Sequence, residues 1–96
     1  MYHFEVRLPA QKDIQQIVDY YEEIAPTVTD TFLEELYAEF DVIKKNPLSF
    51  QKKYKTTRVR YLNRFSFGIH YNISGEKIEI LAVLHTSRNP RVWKTR

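Results

Sequence analysis

The sequence predicts an α+β fold in which an antiparallel helical hairpin packs on one face of an antiparallel sheet, in the order β-α-α-β-β-β. Three patterns predict it. Apolar residues recur at every second position near the N-terminus and again after residue 56. Between these segments they recur at helical spacing. Proline interrupts the helical region twice, at Ala25-Pro26 and Asn46-Pro47. At 96 residues we expect a single domain over 1–96.

The N-terminal segment Tyr2–Leu8 alternates apolar and polar residues, which predicts a half-buried strand. Pro9 suits the first turn of a following helix, where the missing N–H costs nothing. That helix is predicted to end at Ala25-Pro26, because a residue before proline is pushed out of the α region. Its apolar stripe consists of Ile14, Ile17, Val18, Tyr21 and Ile24.

A second helix is predicted to begin with Thr27 as its N-cap, with Asp30 three residues later in a capping-box variant. Lys44 and Lys45 occupy its last turn, where cations suit the helix dipole. Asn46-Pro47 ends it. Its core side consists of Phe32, Leu33, Leu36, Tyr37, Phe40 and Ile43.

The C-terminal half returns to a period of two after a lysine-rich connecting loop over Leu48–Thr56. Ser74-Gly75-Glu76 is typical of a hairpin turn. The last strand is almost entirely apolar, so we expect it to be central in the sheet, with the first strand at an edge. A polar tail, Thr86–Arg96, follows. The predicted strands are Arg58–Tyr61, Phe65–Ile73 and Ile78–His85.

Composition excludes several classes of protein. The absence of cysteine excludes disulfides, thiolate metal sites and cysteine catalysis. The two glycines exclude glycine-rich phosphate loops. No apolar run approaches the length of a membrane span, and Met1–Pro9 does not have the pattern of a signal peptide. We therefore expect a cytoplasmic protein with no membrane partner.

The net charge of +3 conceals a strong asymmetry. Residues 1–43 contain ten acidic and two basic residues, whereas residues 44–96 contain two acidic and thirteen basic ones. Within the second half, aromatic residues interleave with a cationic run, which indicates nucleic-acid binding; the alternative is a charged face exposed to solvent. The run consists of Lys52, Lys53, Lys55, Arg58, Arg60 and Arg64. In the tail, Trp93 either anchors the tail to the domain or contacts a partner.

The histidines are too far apart in sequence to suggest a zinc site, and we expect no metal or cofactor. His85 ends the most apolar strand, while His70 falls on the polar side of its strand's alternation. Both are candidates for chemistry, although a structural hydrogen bond is the simpler explanation for each. We expect Glu34-Glu35 and Glu22-Glu23 to be solvated. The sheet face away from the helices is predicted to gather Arg58, Arg60, His70 and His85.

This element order, with a helical hairpin ending in Asn-Pro, resembles the RelE/ParE superfamily of bacterial toxins. The segment Arg64–Tyr71 is similar to the arginine–aromatic strand motif of that superfamily. Ile80–Pro90 is similar to its closing strand, which runs into His-x-x-Arg. The resemblance covers essentially the whole chain. It implies a toxin of a type II toxin–antitoxin module, which a co-encoded antitoxin protein neutralises.

Two activities occur on this fold, and the first is ribosome-dependent cleavage of mRNA without a metal. The resemblance implies Lys53, Arg64 and Arg88 as catalytic candidates, and His85 is a further candidate for the base because of its chemistry. A base would activate a 2′-hydroxyl, and fixed cations would stabilise the charge that develops on the phosphate. No tyrosine follows Tyr71, so the tail lacks the tyrosine of RelE-like enzymes. The candidates for RNA binding are Lys52, Lys55, Arg58, Arg60, Arg91 and Trp93.

The second activity is that of ParE-like members, which inhibit DNA gyrase by protein–protein contact. Arg88, Arg91 and Trp93 are then interface candidates, since Arg and Trp are frequent interface anchors. A third hypothesis is an inactive module or a generic nucleic-acid-binding domain. The expected partners are thus an antitoxin and one target, which is either the ribosome with its mRNA or DNA gyrase. The sequence leaves the oligomeric state open.

Overall fold

The computed structural model describes residues 2–87, and its elements confirm the predicted α+β fold. Two helices pack on one face of a five-stranded mixed sheet whose strand order is β1-β5-β4-β3-β2. The elements are β1 (His3–Val6), α1 (Leu8–Ile24), α2 (Pro26–Lys45), β2 (Lys52–Tyr54), β3 (Thr57–Tyr61), β4 (Phe67–Ser74) and β5 (Lys77–His85).

The sheet combines the predicted C-terminal meander with one parallel edge. Strands β3, β4 and β5 run antiparallel in sequence order, and Gly75 turns the β4–β5 hairpin with a φ of 62°. Strand β1 pairs in parallel with β5, from His3 opposite Lys77 to Val6 opposite Ile80. The first strand therefore lies at an edge and β5 in the interior of the sheet, as predicted.

Strand β2 was not predicted, because a loop was expected over Leu48–Thr56. It spans three residues, Lys52–Tyr54, and pairs antiparallel with β3 through an irregular register. Three residues are too few to show an alternation of apolar and polar side chains, and two of them are lysines. Pairing with β3 stabilises this strand, and a local sequence pattern does not reveal such pairing.

The predicted start of α2 is also wrong. The helix begins at Pro26, with Ala25 as N-cap and no side-chain capping bond, so Thr27 does not cap it. Pro26 needs no hydrogen-bond partner in the first turn, which allows α2 to follow α1 after one residue. Helix α2 ends at Lys45, with both lysines in its last turn as predicted.

The core lies between the helices and the sheet. Helix α2 contributes Phe32, Leu36 and Ile43, each fully buried, and the sheet contributes Ile69, Tyr71, Ile78, Ile80 and Val83. The Tyr71 hydroxyl donates a 2.7 Å hydrogen bond to the Pro47 carbonyl, and burial raises the pKa of Tyr71 to about 12. Two residues predicted in the apolar stripes are instead exposed, Ile24 by 58% and Tyr37 by 56%.

Candidate functional site

The loop between β3 and β4, residues 62–66, is fixed by a buried carboxylate. Glu35 on α2 is only 7% exposed and accepts hydrogen bonds from the backbone N–H groups of Asn63 and Arg64. The Arg64 guanidinium adds a 3.1 Å bond from Nε to the same carboxylate. The prediction that Glu35 is a solvated charge is therefore wrong, and the acid connects the helical hairpin to the loop.

Opposing effects act on the ionisation of Glu35. Burial alone raises the pKa of this carboxyl, but the two backbone donors and the Arg64 guanidinium outweigh it. The net result is a pKa below the ordinary glutamate value, so Glu35 is ionised at neutral pH. The charge then strengthens each of its hydrogen bonds to the loop.

A cleft of about 470 Å³ opens beside this loop, between the end of α1 and the end of β5. The Thr86 N–H donates to the Ser66 carbonyl over 2.8 Å, which holds the end of β5 against the loop. Two predicted catalytic residues, Arg64 and His85, lie in this cleft. It is lined by Tyr20, Tyr21, Ile24, Arg64, Phe65, Ser66, Phe67 and His85.

The His85 ring is held by Ser87 and Phe67 in this cleft. Its Nδ1 accepts a 3.1 Å hydrogen bond from the Ser87 backbone N–H, and the Ser87 hydroxyl lies 2.7 Å from the same atom. An N–H group can only donate, so this contact favours the tautomer that is protonated at Nε2. The ring packs edge-on against Phe67 at 5.3 Å between centroids. Ser87 and Phe67 thus fix the orientation of the His85 ring.

Lys53, the other described catalytic candidate, lies in a second cleft of about 350 Å³. Its Nζ is 3.4 Å from Gln51 Oε1 and 5.8 Å from the centre of the Tyr61 ring. Asn63 contributes to this cleft and Arg64 to the first, so the 62–66 loop separates them. The second cleft is lined by Ser49, Phe50, Gln51, Lys53, Val59, Arg60, Tyr61 and Asn63.

Arg58 and Arg60 were predicted on the sheet face away from the helices, and this is wrong. They lie opposite Tyr71 and Ile69, which face the helical core. Arg60 Nε forms a 2.6 Å ion pair with buried Glu39 on α2, and its guanidinium stacks 4.7 Å from the Phe50 ring centre. Arg58 donates to the Phe50 carbonyl at 2.7 Å.

His85 also lies on the helix side, because it is opposite Phe67. Of the four residues expected on the face away from the helices, only His70 is there, opposite Val59. It is buried, and its Nδ1 is 3.0 Å from the Tyr54 hydroxyl. Alternation predicts which residues share a face but not which face meets the helices.

The remaining candidates divide into two groups. Lys52 and Lys55 are exposed at the β2 edge and its turn, and Lys55 has a φ of 47°. Within residues 2–87, Lys52, Lys53 and Lys55 form no ion pair. Arg88, Arg91 and Trp93 lie outside the described residues.

Sequence reasoning missed Tyr20 and Ile24 as lining residues of the first cleft. It also missed Glu35 and Glu39 as the ion-pair partners of Arg64 and Arg60. The sequence does contain a signal that the two acids are buried. Each lies three residues after a core residue of α2, and such positions belong to a wide apolar stripe. Tyr20 and Ile24 stand at the end of α1, exposed by 60% and 58%. Their exposure could not be anticipated, because it depends on where the sheet ends beneath α1.

Two further properties of the described part of the chain bear on its chemistry. Within residues 2–87, no group of three or more histidine, aspartate or glutamate side chains is placed to hold a metal ion. None of the helices in this part is both long and apolar enough to cross a membrane.

Comparison with known proteins identifies the class. The fold is shared with a chromosomal ParDE toxin–antitoxin system from P. aeruginosa, with a TM-score of 0.80 and 18% identity over 91% of this chain and 98% of that one. It is also shared with the toxin–antitoxin complex RelBE2 from Mycobacterium tuberculosis, with a TM-score of 0.52 and 17% identity over 88% of this chain and 96% of that one.

The family follows from the sequence itself. The model of the ParE toxin of the type II toxin–antitoxin system parDE matches residues 4–90. The chain therefore belongs to this toxin family, within the RelE/ParE superfamily that its motifs resemble. No curated protein matches it significantly.

Proposed function

We propose that this toxin inhibits DNA gyrase in the cytoplasm by protein–protein contact, without catalysis, and that a cognate antitoxin neutralises it. Membership of the ParE family supports the gyrase branch over the ribonuclease branch. The observation that carries the proposal is internal neutralisation of the arginines. Arg60 is paired with Glu39 at 2.6 Å and Arg64 with Glu35 at 3.1 Å.

Cleavage of RNA by a 2′-hydroxyl needs cations whose charge is available to the phosphate in the transition state. A carboxylate in contact with the guanidinium offsets that charge more for Arg60, whose side chain is 30% exposed, than for Arg64, whose side chain is 63% exposed. Arg58 is half-buried and donates a hydrogen bond to the Phe50 carbonyl. Arg60 and Arg64 therefore stabilise the fold, and their pairing with carboxylates argues against a phosphate-cleavage centre.

The arrangement of the candidate bases supports the same conclusion. His85 and Lys53 lie in different clefts, on opposite sides of the 62–66 loop. His85 Nδ1 already accepts a 3.1 Å hydrogen bond from the Ser87 backbone N–H. A general base must be within hydrogen-bond reach of the proton it removes, with its lone pair available. Among residues 2–87, neither cleft combines one of these bases with a guanidinium that lacks a carboxylate partner.

The test combines two assays on the purified chain. DNA gyrase is given relaxed plasmid and ATP, and supercoiling and double-strand cleavage are followed with increasing toxin. Translating ribosomes are incubated with the toxin in parallel, and mRNA 5′ ends are mapped. We expect loss of supercoiling, accumulation of cleaved plasmid and intact mRNA. Addition of the antitoxin in equimolar amount should restore supercoiling.

The ribonuclease alternative is favoured by one observation, the shared cleft of Arg64 and His85. It predicts ribosome-dependent mRNA cuts that disappear in Arg64→Ala and His85→Ala, with supercoiling unaffected. That result would overturn the gyrase proposal. A matched control is Arg7→Ala, which removes an exposed ion pair with Glu79 elsewhere on the sheet and should change neither assay.

A further inference from the structure

We propose that the sheet face away from the helices is the docking site of the chain's own C-terminal segment, residues 88–96, and that Trp93 is the anchor of this contact. The inference does not depend on the proposed function. It is carried by the burial of side chains on a face over which no helix or strand of residues 2–87 packs.

The register of the sheet identifies the residues on this face. Ile69 of β4 and Val83 of β5 lie opposite each other and belong to the core beneath the helices. Because successive side chains of a strand point to opposite faces, the residues on either side of these two point away from the helices. The pairing of β3 with β4 extends the same face. We call this set the far face, and it consists of Val59, Gly68, His70, Ala82 and Leu84.

The far face is buried although it lies away from the helices. Val59 is 4% exposed, Leu84 3%, His70 1% and Ala82 0%. When helices cover only one face of an antiparallel sheet, the other face is normally solvated and carries polar side chains. The far face instead combines three buried apolar residues with a buried histidine, which indicates that a further layer covers it.

Two aromatic side chains of β2 and β3 form part of this cover. The Tyr54 hydroxyl lies 3.0 Å from His70 Nδ1. The Tyr61 ring lies over Gly68, so close that a Cβ atom at this position would be 3.2 Å from Cδ1 of the ring. Both rings start from the β2–β3 side of the sheet, so they account for burial on that side of the far face.

The β5 side of the far face needs another cover. Ala82 and Leu84 lie where β1 no longer runs beside β5, because β1 pairs only as far as Ile80. Their burial arises within the single chain, so the cover is a segment of the same chain. Outside residues 2–87 lie Met1, which precedes the strand paired with the opposite end of β5, and residues 88–96. The C-terminal segment is therefore the cover.

The C-terminal segment is long enough for this role. It follows Ser87, which comes two residues after the end of β5 and three after Leu84. An extended chain covers about 3.3 Å per residue, so residue 93 reaches up to about 20 Å from Ser87. Neighbouring strands are only about 4.8 Å apart, and Trp93 can therefore lie over any strand from β5 to β3.

Trp93 is the side chain of this segment that is best suited to the contact. Among residues 88–96, only Val92 and Trp93 have large apolar side chains. Adjacent side chains of an extended segment point to opposite sides, so one of the two faces the sheet, and the indole buries the larger area. Trp93 is then an internal anchor, which leaves Arg88 and Arg91 as the tail's candidates for contact with gyrase.

The experiment uses the full chain, whose only tryptophan is Trp93. Docking predicts indole emission at shorter wavelength and about threefold less quenching by acrylamide than in the urea-unfolded chain, since the ring is shielded from water. In NMR spectra, NOEs from the indole protons to the methyl groups of Val59 and Leu84 should locate the ring. Emission and quenching equal to those of the unfolded chain, without these NOEs, would overturn the proposal.

Two variants test the two sides of the contact. Leu84→Gln should shift the emission toward that of the unfolded chain, and Leu48→Gln, at a leucine that is 64% exposed after α2, is the matched control that should leave it unchanged. Far-UV circular dichroism monitors whether Leu84→Gln folds. Trp93→Ala leaves the sheet intact and should shift the methyl resonances of Val59 and Leu84, but not those of Ile24 on α1. Unchanged resonances of Val59 and Leu84 would contradict the proposal.

Other contacts of Trp93 give different results. If light scattering shows a dimer and the short-wavelength emission disappears on dilution to the monomer, the segment of a second copy covers the far face and the proposal is wrong. If Trp93→Ala abolishes gyrase inhibition without shifting the methyl resonances, Trp93 contacts gyrase and the proposal is also wrong. The spectra need no gyrase, so failure of this proposal and failure of the gyrase proposal are distinguishable.

Discussion

At the scale of single residues, two buried glutamates of α2 bind and position residues of the basic half of the chain. Glu35 binds two backbone N–H groups and one guanidinium, and Glu39 binds Arg60. The adjacent Glu34 is exposed, so two glutamates next to each other in sequence have opposite roles. The difference arises because adjacent positions on a helix point about 100° apart.

We expect Glu35→Gln to lower the free energy of unfolding at pH 7 by about 1–3 kcal/mol, because a buried charged acceptor is replaced by a neutral one. Glu34→Gln is the matched control and should change it by less than about 0.5 kcal/mol. Urea denaturation of the three proteins measures both values. Equal stability of Glu35→Gln and Glu34→Gln would contradict the role given to Glu35.

The lowered pKa of Glu35 adds a pH dependence to this prediction. A carboxyl whose pKa falls on folding stabilises the folded state above its unfolded-state pKa. That contribution is lost as the pH falls through the folded-state pKa, which here lies below the ordinary value of 4.5. The stability difference between wild type and Glu35→Gln should therefore be constant from pH 7 to pH 5.5 and shrink at lower pH. A difference that persists at pH 2.5 would argue against a charge effect.

At the scale of elements, helix α1 supplies a hydrogen-bond acceptor to the part of β5 that has no β1 partner. Strand β1 pairs with β5 only as far as Ile80, and the ladder between β4 and β5 leaves Leu81 without a partner. Beyond this bulge, the Val83 N–H donates to the Asp13 carboxylate of α1 over 3.0 Å. Asp13 is buried, so the helix is connected to the sheet by a polar bond within the interface.

We expect Asp13→Ala to lower the free energy of unfolding by about 1–3 kcal/mol, because the Val83 N–H loses its acceptor. Asp19→Ala removes an exposed aspartate of the same helix, whose partner is Gln15, and should cost less than about 0.5 kcal/mol. Amide hydrogen exchange at Val83 should accelerate in Asp13→Ala only. Unchanged protection of Val83 would show that the bond contributes little.

The elements also show how far local patterns predict this fold. Both helices, the β3–β4–β5 meander and the edge position of β1 follow from periodicity, proline positions and turn residues. Local patterns do not predict strand β2, nor the sheet face on which Arg58 and Arg60 lie. Both depend on pairing between segments that are distant in the sequence. In the first cleft, Arg64 and His85 could be predicted because they belong to strand motifs. Ile24 could not, because in the sequence it resembles any core residue of an amphipathic helix.

At the scale of the whole molecule, the charge asymmetry of the sequence has two consequences. Part of it is cancelled internally, since Glu35 and Glu39 of the acidic half pair with Arg64 and Arg60 of the basic half. The described remainder is concentrated at the β2 edge, where Lys52, Lys53 and Lys55 form no ion pair with residues 2–87. Among residues 2–87, this edge is therefore the part that attracts an acidic partner most strongly.

We expect the Kd for the antitoxin to rise roughly tenfold between about 0.05 and 0.5 M salt, because exposed charge pairs are screened over this range. Replacing Lys52, Lys53 and Lys55 together by glutamine should weaken binding at low salt and flatten the salt dependence. Replacing Lys12, Lys44 and Lys45 instead removes the same charge from exposed helical positions and should leave the slope close to that of the wild type. Equal slopes for the two triple variants would show that attraction depends on net charge alone, and not on the lysines of the β2 edge.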